Sequence, residues 1–203
     1  MARGLLSDLF SHYQDALGWL SEQGHIYRLG EAALNTTITG ATSFATTTPT
    51  LGVFVDAGAN YIVIPLELQM MQAGTVAGGA ITVLMEVDNA DRYSSGGTAL
   101  TVLRTDMGAT SLPTGVTAFS TTGSAITATN AVGIPVRRWL LGPDVSPAEG
   151  AVNSVEWGPQ AGLEILKPTA TTGASWLINT SAGVTGPTWL YSMKIAVVPA
   201  SWA

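Results

Sequence analysis

The chain has 203 residues, and a single domain of this length buries about 70% of its unfolded surface, so it needs no covalent staple. It contains no cysteine, which excludes a disulfide framework, an iron–sulfur cluster and a thiolate zinc site. Only 11% of the residues are charged and the net charge is −6, which argues against nucleic acid and anionic membranes as partners, because binding phosphates requires clustered Lys and Arg.

Residues 1–23 have the pattern of an amphipathic helix, and Gly24 is a plausible stop. Apolar side chains recur at intervals of three and four residues, and we predict a partner-binding stripe formed by Leu5, Leu9, Phe10, Tyr13, Leu17 and Leu20. Two interpretations remain open: the helix packs on its own domain, or it is an arm that docks on a partner. We expect the arm to anchor the protein more than it stabilises the rest of the chain.

From residue 24 onward the hydrophobic period changes to two, which is typical of half-buried strands. In Tyr61–Met71 the alternation places Ile62, Ile64, Leu66, Leu68 and Met70 on one face. Ile81–Asp88 and the segment from Trp189 to Val197 alternate in the same way. The charge-free stretch from Leu68 to Met85 is therefore interpreted as two strands joined by a glycine-rich turn.

About ten such strands with turn-rich links predict an all-β fold, an antiparallel β-sandwich formed by residues 24–203. Two stretches rich in Thr, Ser, Gly and Ala, Asn35–Thr50 and Gly108–Asn130, still contain large apolar side chains. We expect them to form ordered loops or short edge strands that cover other parts of the protein.

We find no motif for catalysis and predict no catalytic residue, no metal site and no cofactor. The two histidines, His12 and His25, lie close together in sequence near the N-terminus. The acidic group of Glu86, Asp88 and Asp91 is interpreted as a solvated strand end rather than a cation site.

The chain has six tryptophans, five of them in its second half: Trp139, Trp157, Trp176, Trp189 and Trp202. Large aromatic side chains usually fill cores and interfaces. Exposed rings on a β-sandwich can instead stack on sugars, and Trp157, which precedes Gly158-Pro159, is the candidate for such stacking.

The segments Asn60–Leu68 and Thr188–Ile195, together with the Thr/Gly/Ala-rich loops, resemble those of small jelly-roll structural proteins of tailed bacteriophages, particularly head decoration or cement proteins. The resemblance implies a jelly roll without enzymatic activity that assembles as an oligomer on a capsid lattice. It also implies a location in the virion, after assembly in the host cytoplasm.

The expected partners are other copies of this chain and a major capsid protein or another virion protein. Lysines commonly protect exposed sheet edges, and this chain has only Lys167 and Lys194. We therefore expect a closed homo-oligomer to cover those edges, with a trimer as the expected state. The alternative function is a carbohydrate- or receptor-binding module, such as a tail or baseplate component or a lectin-like domain.

Overall fold

The structure, a computed structural model, describes residues 13–33, 35–73, 80–129, 133–143, 153–159, 163–183 and 186–202. One helix, fourteen strands and a final 3-10 turn (Ala200–Trp202) lie in these ranges. The helix and strands are, in chain order, α1 (Tyr13–Glu22), β1 (Ile26–Gly30), β2 (Ile38–Thr39), β3 (Leu51–Val55), β4 (Tyr61–Gln72), β5 (Ala80–Asp88), β6 (Tyr93–Gly96), β7 (Thr98–Ala99), β8 (Thr101–Arg104), β9 (Val116–Ser120), β10 (Ile126–Ala128), β11 (Ile134–Pro143), β12 (Ser154–Trp157), β13 (Ala174–Ser181) and β14 (Thr188–Pro199).

Two antiparallel sheets form the sandwich. The first has the strand order β12-β4-β14-β1-β8, with β2 also pairing with β14, and the second has the order β11-β5-β13-β3-β9-β7. Their facing sides enclose the main hydrophobic core, in which Trp176 and Trp189 are fully buried. The predicted antiparallel β-sandwich is confirmed.

The eight main strands pair as nested partners, the first with the last and so on inward. β1 pairs with β14, β3 with β13, β4 with β12 and β5 with β11. A long hairpin rolled up in this way gives a jelly-roll order, with the outermost and third pairs in one sheet and the other two in the second.

The connection between β5 and β11 carries five further strands and widens the sandwich on the side of β1 and β3. β8 pairs with the free side of β1, while β9 pairs with β3 and β7 pairs with β9. β6 and β10 form a separate two-stranded layer whose Tyr93 and Ile126 pack with Phe54 and Leu177. This layer covers the outer face of the second sheet. The Thr/Gly-rich stretch after Gly108 therefore forms a cover through β10, as expected, but its other strand, β9, lies between β3 and β7 and is not an edge strand.

The predicted single apolar face of β4 is wrong. Leu68 and Met70 point into the main core, whereas Ile62, Ile64 and Leu66 belong to a second cluster on the outer face of the first sheet. The cause is a bulge: Glu67 pairs with Lys194, but the next partner, Ile195, pairs with Pro65, which leaves Leu66 as an extra residue. One extra residue in a period-two strand moves every later side chain to the opposite face.

The predicted alternation of the other two long strands is confirmed. Trp189, Met193, Ile195 and Val197 of β14 face the main core, as do Ile81, Val83 and Met85 of β5. β4 ends at Gln72 and β5 begins at Ala80, so the charge-free stretch is two strands. No helix in the described ranges is long and apolar enough to cross a membrane.

Candidate functional site

The predicted N-terminal stripe is divided by the structure. Leu5, Leu9 and Phe10 lie outside the described residues, and so does the side chain of Tyr13. Leu17 and Leu20, by contrast, pack on the second cluster, and Leu20 is only 3% exposed. The end of α1 therefore packs on its own domain, and Leu20 is not free to contact a partner in this arrangement.

Aromatic rings join the end of α1 to the last residues of the chain. The ring centroids of Trp19 and Trp202 are 5.4 Å apart, and His25 meets Trp202 edge-on at 4.7 Å. Nδ1 of His25 donates a hydrogen bond to the Val197 carbonyl at 3.0 Å. Burial lowers the pKa of His25, against the effect of this hydrogen bond, so the described histidine has a packing role.

Trp157 is half-buried and packs against Trp176, with the ring centroids 5.9 Å apart and the planes tilted by 48°. It also contacts the main core from the end of β12. This arrangement favours the core interpretation of Trp157 over stacking on a sugar.

The acidic group at the end of β5 is occupied by internal partners. Both carboxylate oxygens of Asp88 accept hydrogen bonds from Arg92, at 2.9 and 3.2 Å. Asp91 accepts one from the Tyr93 backbone N–H, and Glu86 accepts one from the Asn179 amide at 3.1 Å. In the part of the chain that the structure describes, no group of three or more acidic, His or Cys side chains is arranged to hold a metal ion.

The carboxylate of Glu31, which the sequence analysis did not single out, connects the two sheets through hydrogen bonds. Oε1 of Glu31, just after β1, accepts hydrogen bonds from Ser120, Thr122 and Tyr191 at 2.7, 2.7 and 2.8 Å. Burial and the adjacent Glu31 raise the pKa of Tyr191 far above its ordinary value, so the phenol remains a donor. The three hydroxyl groups around Glu31 stabilise the fold, because each of them donates a hydrogen bond to the same carboxylate oxygen.

Among the described strands that lie at the edge of either sheet of the sandwich, β11 is the longest, and it ends the second sheet. Ile134 and Leu140 are 71% and 73% exposed, and Arg137 and Arg138 are also exposed. The exposure of this strand was not predicted from the sequence. Apolar residues on both faces of a strand predict a central strand that is buried on both faces. The sheet order shows instead that β11 is an edge strand, with β5 on one side and no neighbouring strand on the other among the described residues.

β11 and β12 lie on the same side of the sandwich, which we call the β11–β12 side. Leu166 bridges to Val63 of β4 along the same side of that strand as β12. The residues around it line a groove of about 230 Å³ together with Val87 and Ile134 of the second sheet. The groove therefore marks the gap between the edges of the two sheets, and Ile134 and Ile165 form its apolar margins.

Comparison with known proteins gives no match: no protein-family model, curated protein or solved structure is similar to this chain.

Proposed function

We propose that this chain is a virion structural protein, a decoration or cement protein that binds a bacteriophage head shell as a homo-oligomer and stabilises it. The observation that carries the proposal is the β11–β12 side. The insertion extends the opposite side of the jelly-roll sandwich and covers the outer face of the second sheet, whereas the β11–β12 side presents a long strand edge with exposed apolar side chains. Such an edge favours pairing with another protein chain.

The charge content supports the same proposal. With 11% charged residues, against about 25% in ordinary domains, the chain has little charge to keep a large free surface in water. The three described ion pairs, Asp88–Arg92, Asp106–Arg104 and Glu67–Lys194, use several of these charges internally. A surface of this kind binds through apolar contacts and hydrogen bonds more than through charge.

The N-terminal residues Leu5, Leu9 and Phe10 are the proposed attachment to the shell. Leu17 and Leu20 are the stripe residues whose side chains the structure describes, and these two pack on the protein's own sheet. Replacing the three residues with serine should reduce the amount of protein on purified particles while leaving the fold intact. Asp8→Asn, on the polar side of the same stripe, is the matched control. Full occupancy of particles by the triple variant would contradict this assignment.

The experiment that tests the function is purification of native particles followed by quantification of this chain. We expect a fixed stoichiometry set by the shell lattice and retention of the chain in molar sodium chloride, because apolar contacts are not screened by salt. Absence of the chain from particles would contradict the proposal.

The second candidate is a carbohydrate- or receptor-binding module, and the observation in its favour is Trp19, which is 36% exposed beside Trp202. Aromatic rings at a surface can stack on sugars. Binding of a glycan that is lost on Trp19→Ala or Trp157→Ala, together with absence from particles, would favour this function over the first.

A further inference from the structure

We propose that the β11–β12 side is the surface through which a second copy of this chain binds, with β11 of each copy pairing with β12 of the other. This deepens the proposed function and rests on it for the need to self-associate. Four features of the described residues favour a second copy as the binding partner. They are the open strand edges, the match of sheet faces across the interface, the half-buried tryptophans and the opposite charges on the two edges.

The insertion leaves open edges of very different lengths on the two sides of the sandwich. On the side of β1 and β3 it adds β8 and β7, and the outermost strands there have four and two residues. Very short edge strands offer few groups for pairing. On the β11–β12 side, β11 has ten residues and β12 has four, with no further strand beside either one in the described ranges.

Because β11 and β12 lie on one side, a single neighbour can take both edges. A two-fold axis parallel to the strands, in the plane of contact, places the second sheet of one copy beside the first sheet of the other. The two sheets that meet then form one continuous sheet across the interface. Its outer face is made of the outer faces of both copies, and its inner face is made of their inner faces. The contact is made twice and is closed, as an isologous interface requires.

The inner face at these edges is aromatic and incompletely covered. Trp139 of β11 and Trp157 of β12 are both half-buried, and both pack against the edge of the main core. Edge pairing would place them on one continuous inner face and remove more of their surface from water. Two of the tryptophans in the second half of the chain would thus serve the interface.

The outer face carries complementary charges. Arg138 is exposed on β11, opposite Leu84 of β5, and Glu156 is exposed on β12, opposite Gln69 of β4. Neither side chain is in an ion pair among the described residues, although the charge of Arg138 also acts on the carboxylate of Glu86 in β5. In the paired copies the arginine edge of one meets the glutamate edge of the other twice, and opposite charges on neighbouring strands stabilise a sheet.

Pro135 and Pro143 limit how far the pairing extends. A proline offers no N–H, so the stretch available for hydrogen bonding is Val136–Gly142, which is long enough to accept the four residues of β12. The contact defines a pair, and the trimer expected from the sequence would need an additional surface.

The test is light scattering and sedimentation of the full chain at micromolar concentration. We expect a mass of twice 20.9 kDa or a higher even multiple. Glu156→Arg and Arg138→Glu should each raise the dissociation constant about tenfold or more, because each replaces two attractive pairs with two repulsive ones. The double variant, with the charges exchanged, should restore association.

Two controls separate pairing from loss of the fold. Arg28→Glu and Glu22→Arg make the same charge changes at exposed positions away from these edges and should leave the mass unchanged. Hydrogen exchange should show that the backbone amides of β11 and β12 are protected in the associated protein and lose this protection in the Glu156→Arg variant. Because Glu156 is exposed, the substitution should leave the fold intact.

A wild-type mass of one chain, or a double variant that does not recover association, would overturn the pairing. If the protein is a monomer in solution but is still found on particles at a lattice stoichiometry, the pairing fails and the proposed function stands. If the pair forms as described but the chain is absent from particles, the proposed function fails and the pairing stands.

Discussion

The carboxylate of Glu86 lies on the outer face of the second sheet, with the side chain only 9% exposed. Burial raises its pKa, the charge of Arg138 opposes this, and Asp88 adds to it. The folded protein therefore holds the Glu86 proton more tightly than the unfolded chain does. By linkage, this residue contributes stability at low pH, and the contribution is lost as the pH rises through its folded pKa.

Glu86→Gln should accordingly stabilise the protein at neutral pH. The glutamine keeps an acceptor for Asn179 but carries no charge to be desolvated. We expect the melting temperature to rise by about a few degrees near neutral pH, with no gain at acidic pH where Glu86 is protonated. Thermal unfolding followed by circular dichroism across this range checks it, and a lower melting temperature at neutral pH would contradict the assignment.

The Glu31 carboxylate stabilises the fold, in contrast to that of Glu86, because it accepts hydrogen bonds from three hydroxyl groups on two other strands and a loop. Glu31→Ala should lower the free energy of unfolding by about 2–3 kcal/mol, since it removes the shared acceptor of the buried Ser120 hydroxyl and of the half-buried Thr122 and Tyr191 hydroxyls. Tyr191→Phe removes one donor and should cost less. Chemical denaturation measures both, with the exposed Glu22→Ala as a control; a change for Glu31→Ala as small as the control would show that the network does not stabilise the fold.

At the scale of the element, α1 and β4 depend on each other. The bulge at Leu66 turns Ile62, Ile64 and Leu66 outward, and these residues form the apolar surface on which Leu17 and Leu20 pack. The Oγ atoms of Ser21 and Thr105, 2.7 Å apart, share a hydrogen bond that fixes the end of the helix to the segment after β8. The helix is present on this sheet because the bulge provides a second core.

Leu20→Ala should therefore destabilise the fold by about 2–5 kcal/mol, the range for truncating a buried leucine. Leu9→Ala, at the corresponding stripe position before Tyr13, should change the melting temperature little and instead weaken attachment to particles. Calorimetry and particle binding measured on both variants distinguish the two roles. Equal destabilisation by the two substitutions would show that the whole stripe packs on the protein's own domain.

The long strands were largely predictable from the sequence, because every second residue of β5 and β14 is an apolar side chain that faces the main core. The bulge in β4 was not predictable, because an extra residue in a run as apolar as Tyr61–Leu66 leaves the composition of both faces unchanged. The partners of Glu31 were equally hidden. Ser120 and Tyr191 are 89 and 160 residues away from Glu31 in the sequence, so only the folded chain brings them into reach. The pairing of Asp88 with Arg92 is local, because the two residues are four positions apart.

At the scale of the whole molecule, the insertion between β5 and β11 determines which surfaces remain open. It extends the sheets on the β1 and β3 side and adds a layer over Phe54 and Leu177, where Tyr93 and Phe119 stack with centroids 4.3 Å apart. Glycine is required at the end of β6, because Gly96 has a φ of 75° and a Cβ there would collide with the Ala125 carbonyl. Strand identities could be predicted from the sequence, but which edges stay open could not, because that depends on pairings distant in sequence.

Electron cryomicroscopy of native particles tests the proposal that the chain binds and stabilises a virion shell. We expect density for this sandwich at regular lattice positions on the shell, retained after a wash in molar sodium chloride, with the N-terminal segment directed towards the shell. Particles whose shell shows no such density, while the chain remains in the unassembled fraction, would contradict it.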